Sequence, residues 1–239
     1  MAFRVSPGWW PVLAVASPAL VPWMMSKNRR FKENREKATR MNEERILAAE
    51  PLPLPALDQL ELTVVCEHEH EEGFKGEAGV SYLLRTDRGS LLYDIGFGAQ
   101  HTTFADNTSL LGLKMEDVDA LAISHLHADH MGGLKAQRRR RVALPPAFGA
   151  AGGKPCYVPD TAGAEGFDVR ITAKPQMLEG GIASTGPLAR SLYFFGLTQE
   201  QALVAHVKRT GLFVLTGCGH PTIEVVIRMV RRLSDEPVY

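Results

Sequence analysis

Hydrophobic and polar positions change texture three times along the chain. Trp9 to Met25 is seventeen residues without a charged side chain, with tryptophans near both ends and prolines at Pro11, Pro18 and Pro22. Ser26 to Glu50 is densely charged and helix-favouring, and Glu36 and Arg40 are spaced to pair across one turn. Only Phe31, Met41, Ile46 and Leu47 offer sizeable apolar contacts there, so the pattern predicts a solvated helix. Pro51-Leu52-Pro53-Leu54-Pro55 then imposes an extended, stiff connector. The organisation expected is a leader over residues 1–25, a charged helix and proline-rich linker over 26–56, and a folded domain over 57–239.

Within the domain, Leu60 to Val65 alternates and is β-rich, which predicts a first strand. Val80 to Thr86 and Ser90 to Asp94 flank Asp87-Arg88-Gly89 and read as a hairpin. Thr102 to Leu111 is helical in pattern and stops at Gly112, and Val118 to Ser124 has the length of a buried strand. Residues 135–190, rich in glycine and proline, read as loop-dominated. Glu200 to Val207 reads as a helix, Leu212 to Leu215 as a buried strand, and Thr222 to Leu233 as an amphipathic helix. Strand and helix signals in this mixed order predict a layered α/β domain.

Charge changes the picture of the leader. The chain carries 27 basic and 27 acidic residues, but residues 1–50 hold nine of the former and five of the latter, so a basic leader precedes an acidic body. At about 1.5 Å per residue the uncharged stretch reaches roughly 25 Å as a helix, against about 30 Å for a bilayer core. Only Arg4 precedes it, whereas Lys27, Arg29, Arg30, Lys32 and Arg35 follow. A single-pass membrane-anchor helix is expected, with the catalytic domain on the cytoplasmic face of the cell membrane. A signal peptide cleaved near Ala14-Val15-Ala16 and a peripheral leader are the competing readings. Three widely spaced cysteines, Cys66, Cys156 and Cys218, argue against a disulfide scaffold.

The chemistry concentrates in Ser124-His125-Leu126-His127-Ala128-Asp129-His130-Met131-Gly132-Gly133. Imidazole and carboxylate are ligands for zinc, and also for iron or manganese. In an extended segment His125, His127 and Asp129 share one side, and a turn into the glycines brings His130 round to a second position. A chance histidine-rich loop is the bland alternative, but four ligand-type residues at a strand end favour a metal site.

His-x-His-x-Asp-His after an apolar strand resembles the metallo-β-lactamase superfamily. Leu91 to Gly96 resembles that family's first motif, Asp117 to Ser124 its lead-in to the metal loop, and Gly211 to Pro221 its later strand-and-ligand motif. With Gly79 to Leu84, the combination looks closest to the branch containing the dihydropterin–ribofuranosylaminobenzene phosphate synthases. The resemblance implies an αββα sandwich with one or two metal ions, zinc foremost, at one sheet edge. By position it implies His125, His127 and His220 at a first metal, Asp129 and His130 at a second, and Asp129 as the group orienting the attacking water. Many members carry Thr-Gly-Asp where this chain has Thr216-Gly217-Cys218, so Cys218 is a candidate ligand, a supporting group or a small buried thiol, and Asp94 a candidate support for the metal loop or a direct ligand. No histidine follows His220, and residues 235–239 fall where the next strand is expected to start. The expectation is therefore a domain truncated at its C-terminus, or a second ion held by Asp129, His130 and one further group.

The activity implied is metal-dependent hydrolysis of an ester, lactone or phosphoester by activated water. The alternatives are a dihydropterin-type synthase, which is a transferase, and a non-catalytic metal-binding member. Arg138 to Arg141 has three readings: a face toward an anionic small-molecule substrate, a solvated face, or an anionic-lipid contact. The acidic body lacks a second nucleic-acid-binding signature, so no nucleic-acid partner is expected. Glu67 to Glu72, with His68 and His70, reads as a solvated loop.

Overall fold

The computed structural model describes residues 7–239. Helix α1 (Trp10–Leu47) is followed by strands β1 (Ala56–Leu57), β2 (Leu60–Cys66), β3 (Ser81–Thr86) and β4 (Gly89–Tyr93). Helix α2 (Thr103–Leu110) leads to β5 (Ala120–Ala122), and the short helices α3 (Ala128–Met131) and α4 (Leu134–Arg139) come next. Short strands β6 (Arg141–Val142), β7 (Pro155–Val158), β8 (Gly163–Ala164), β9 (Asp168–Ile171), β10 (Gln176–Met177) and β11 (Ala183–Ser184) follow. The hairpin β12 (Leu188–Leu192) and β13 (Gly196–Glu200), the pair β14 (Leu203–Val207) and β15 (Gly211–Leu215), and helix α5 (Ile223–Leu233) complete the order.

Six strands form one mixed sheet in the order β2-β3-β4-β5-β7-β9, antiparallel through β4 and parallel beyond it. In the second sheet β15 takes one edge of β14, while β1 and β11 share the other and β10 pairs with β11. Three apolar cores fix the layers. Leu84, Leu91, Tyr93 and Ala122 of the first sheet meet Leu57, Leu203 and Ala205 of the second. The first sheet's other face buries Leu83, Leu92 and Leu121 against Phe104, Met115 and Met131. The second sheet's other face packs Val204 and Leu212 against Ile46 of α1 and Val226, Met229 and Leu233 of α5. The result is helix, sheet, sheet, helix, the mixed α/β sandwich expected.

The early strands, α2, β5, β15 and α5 lie where the hydrophobic pattern places them, and the hairpin turn is shorter, with Thr86 paired to Gly89. Glu200 to Val207 is not a helix. Its glutamate, glutamine and alanine residues favour a helix locally, but Glu200 to Ala205 are all buried, and β14 is paired along both edges. Burial on both faces suits a central strand, and tertiary packing overrides propensity. Residues 135–190 are also more ordered than their composition suggests, because α4 and six short strands pass through them.

The N-terminal region departs most from expectation. One helix runs from Trp10 through Pro18 and Pro22 to Leu47. Among the described residues no helix is long and apolar enough to cross a membrane, so the membrane-anchor helix is not supported. Prolines, tryptophans and Ser17 dilute the apolar stretch, and extending it past Met25 takes in Lys27, Arg29 and Arg30. Arg4 lies outside the described residues. The charged half of α1 is not solvated all round either. Ala38, Asn42 and Ile46 are buried against the domain, and the i,i+4 ion pair along it is Arg29–Glu33 rather than Glu36–Arg40. Buried Asn42 pairs with Ala189 of β12, donating from Nδ2 to its carbonyl (2.9 Å) and accepting its N–H at Oδ1 (2.7 Å). Arg45 donates to the carbonyl of Pro187 (2.8 Å) and to Gln199 Oε1 (2.6 Å), and Leu52 of the proline-rich run donates its N–H to Leu233 (2.9 Å). The helix thus holds the β12–β13 hairpin.

Candidate metal centre

The ligand loop begins where β5 ends. Ser124 to His127 leave the strand through a series of bends, His127 itself extended (φ −90°, ψ 158°), and the rings of His125 and His127 meet with centroids 4.4 Å apart. The single turn of α3 then carries Asp129 and His130 round to the same mouth, and Gly132 ends it at φ +104°. A Cβ at Gly132 would lie 2.5 Å from the carbonyl oxygen of Ala143, so only glycine fits this stop.

Asp94 organises the loop. It follows β4 at φ +60°, a left-handed conformation that aspartate tolerates better than most residues. Its Oδ1 accepts the Ser124 N–H (2.6 Å), and its Oδ2 accepts both the Ser124 hydroxyl (2.6 Å) and His130 Nδ1–H (2.7 Å). Because the Ser124 hydroxyl is spent on Asp94, its oxygen accepts from His125 Nδ1–H (2.9 Å). This network assigns the tautomer of His125 and leaves its Nε2 as a lone-pair donor. That Nε2 lies 3.0 Å from His127 Nδ1, while His127 Nε2 faces Thr198 Oγ1 at 3.4 Å.

His220 arrives from the opposite sheet, on the turn after β15. Its ring centroid is 4.7 Å from that of His125 and 5.2 Å from that of His127, and its Nε2 is buried with no hydrogen-bond partner. One donor atom from each of these three histidines lies within 4.8 Å of the other two. A second group of three is His125, His130 and Cys218, with His130 Nε2 at 3.1 Å from Cys218 Sγ and 3.5 Å from Asp129 Oδ2. Asp94 touches neither mouth; it works from behind. His68 and His70 sit on an exposed loop and join neither group.

Electrostatics keep the first three imidazoles neutral. Burial lowers the proton affinity of His125, with neighbouring histidines adding to it. Burial and His220 bring His127 down to about 4, and burial and His130 lower His220. His130 behaves oppositely: burial alone would lower it, but the Asp94 carboxylate overrides that and holds it well above an ordinary histidine. Burial would raise the Asp129 carboxyl, yet its bond to His130 and that ring's charge leave it below the usual range.

These donors fit a divalent cation. Two imidazole nitrogens face each other and a third is buried unpartnered, an arrangement that a shared cation satisfies.

A cleft of about 260 Å³ opens beside His127, lined by Leu126, Gln137, Arg140, Phe195 and Thr198 among others. Phe195, at the tip of the β12–β13 hairpin, lies over the His127 ring with centroids 4.8 Å apart. Of the arginines at 138–141 only Arg140 lines this cleft, and it is already paired with Asp160 (2.9 Å) and the carbonyl of Thr161 (2.8 Å).

Residues 75–148, which include the whole ligand loop, match the profile of the metallo-beta-lactamase superfamily. Among solved structures it is similar to Tm1679, described as a metal-dependent hydrolase of the beta-lactamase superfamily, at 21% identity and TM-score 0.52, covering 75% of each chain. That likeness shows the shared fold. Looser ones, too weak to bear an argument, are to the metallo-beta-lactamase fold protein YhfI from Bacillus subtilis and to a quorum-quenching N-acyl homoserine lactone lactonase. The first has 18% identity, TM-score 0.37 and coverage of 62% of this chain and 58% of YhfI; the second has 15%, 0.42, 74% and 86%. No curated protein matches the chain.

Sequence reasoning placed Asp94 behind the ligand loop but missed Glu200 and Gln201. Glu200, 2% exposed, accepts the N–H groups of Gly219 (2.8 Å) and His220 (2.8 Å), and burial raises its carboxyl against the pull of those bonds. Its neighbour Gln201 donates its N–H to the Ser124 carbonyl (2.9 Å) and its side-chain amide to Ile123 (2.8 Å). The sequence offered only a polar run, Thr198 to Gln201, ahead of an apolar one, which is no signature of a site.

Proposed function

We propose that the protein is a metal-dependent hydrolase, zinc-loaded, acting on a small-molecule ester, lactone or phosphoester. The observation that carries this reading is the convergence of His125, His127 and His220, with His220 Nε2 buried and unpartnered. Those three would hold one ion, and His130, Asp129 and Cys218 offer donors for another. When bound, such an ion makes water a competent nucleophile at neutral pH and stabilises negative charge developing on the substrate.

The remaining work falls to the chain itself. Asp129, held ionised beside His130, is placed to accept the proton of the attacking water at its carboxylate. Asp94 keeps His130 and, through Ser124, His125 in one orientation, which removes rotational freedom from the centre. The cleft beside His127 receives the substrate, with Phe195 and Leu126 contacting its apolar part. The Arg140–Asp160 pair presents both a cationic donor and an acidic acceptor rather than a free positive charge, which favours a neutral polar group there over a strongly anionic one.

The test is metal analysis joined to a substrate panel of aryl esters, lactones and aryl phosphodiesters. The purified protein is expected to retain about one to two equivalents of divalent metal. Chelation should abolish turnover, metal should restore it, and His127→Ala should lose both metal and activity. Chelator-resistant turnover, or failure to bind metal at all, defeats the proposal. Condensation of an aromatic amine with a pterin in place of hydrolysis would move the protein to the synthase branch that Gly79 to Leu84 and Gly211 to Pro221 resemble.

A further inference from the structure

The two sets of ligands come from different sheets, and one short segment touches both. Thr198 and Glu200 are two apart on β13 and point to the same side, and both are buried. Thr198 Oγ1 meets the Nε2 of His127, the nitrogen facing away from His125. Glu200 binds the backbone of the Gly219–His220 turn with both carboxylate oxygens. Gln201, the next residue, points the other way and grips Ile123 and Ser124 at the root of the ligand loop. Its own Oε1 is fixed by the hydroxyls of Thr172 (2.8 Å) and Ser184 (2.5 Å).

We infer that Thr198, Glu200 and Gln201 form a strut that sets the separation and orientation of the His125–His127 and Cys218–His220 segments, making them positioning residues for the metal centre. The inference rests on the metal-centre reading above. Glu200 accounts for two donors that a turn at this depth would otherwise leave unpaired. Gln201 ties the same strand end to the other ligand segment by both backbone and side chain. Neither reaches the mouth, so neither is a ligand. Helix α1 extends the device outward, because Arg45 binds Gln199 between Thr198 and Glu200.

The test measures Zn(II) and Co(II) affinity by chelator competition, together with the visible spectrum of the Co(II) form, for the full chain, Glu200→Gln and Thr198→Val. Glu200→Gln keeps the shape but removes one of the two acceptors. It should weaken metal binding about 10- to 100-fold, as loss of a partner behind a ligand typically does, and should shift the Co(II) bands. Thr198→Val is close to isosteric and should alter the Co(II) bands and weaken binding by about ten-fold. If Glu200→Gln does not fold without metal, Thr198→Val decides alone. Wild-type affinity and an unchanged spectrum in the variants overturn the strut while leaving the hydrolase reading intact. A full chain that binds neither ion overturns the hydrolase reading itself, and the strut with it.

Discussion

Replacing Asp94 by asparagine tests the organisation of the centre without touching a ligand. The buried carboxylate accepts three hydrogen bonds, two at 2.6 Å from Ser124 and one at 2.7 Å from His130 Nδ1. Asparagine has nearly the same shape but only one acceptor oxygen. If that oxygen serves the Ser124 N–H, the new amide group points at the Ser124 hydroxyl and at His130 Nδ1. The hydroxyl must then accept rather than donate, and His130, charged beside the native carboxylate, must give up its Nδ1 proton and keep the one on Nε2, the nitrogen that faces Cys218 and Asp129. With about 1.5–3 kcal/mol for a hydrogen bond to a charged group and about 0.5–1.5 for a neutral one, weakening two of three bonds destabilises the fold by roughly 2–4 kcal/mol. The wrong tautomer should also lower metal affinity about 10- to 100-fold. Urea unfolding of the metal-free protein measures the first effect and chelator competition the second, with imidazole nitrogen shifts reporting the tautomer. Stability within about 0.5 kcal/mol of wild type together with unchanged metal affinity would refute the reasoning.

Two other outcomes bear on regions the sequence misread or left open. Asn42→Ala strands the buried N–H and carbonyl of Ala189, and should destabilise the protein by about 2–4 kcal/mol in urea unfolding; no change would mean that α1 does not dock on the hairpin. Burial pushes the Cys156 thiol up to about 12 and raises Cys66 as well, whereas Cys218 is exposed. An Ellman assay on the native protein at pH 8 should therefore find one fast thiol, slowed by added zinc, and three on denaturation. Three fast thiols in the native state contradict the burial.

The ligand loop was legible because its chemistry is local: three imidazoles and a carboxylate within six residues, directly after an apolar strand. β3 and β4 were legible from the turn residues between them, β5 as a short apolar run and α5 from its amphipathic pattern. What could not be read was set by partners distant in sequence. Helix-favouring Glu200 to Val207 becomes the end of β13 and the strand β14, the latter because β11 and β15 lie alongside it. The charged half of α1 looked solvated because its docking face is narrow and includes polar Asn42, whose partner is 147 residues away. Glu200 showed no site signature, since it binds backbone rather than metal, and only the fold brings residues 219 and 220 to it.

That imidazoles are drawn from facing layers makes the centre a gauge of their alignment. His125 and His127 ride on one sheet and His220 on the other, and the packing of Leu91 and Tyr93 against Leu203 and Ala205 keeps the two in register. A slip of an ångström between the layers parts the nitrogens while every strand stays hydrogen-bonded. Cavity-forming changes in that interlayer seam, though remote from the cleft, will therefore dim the chemistry well before the protein melts.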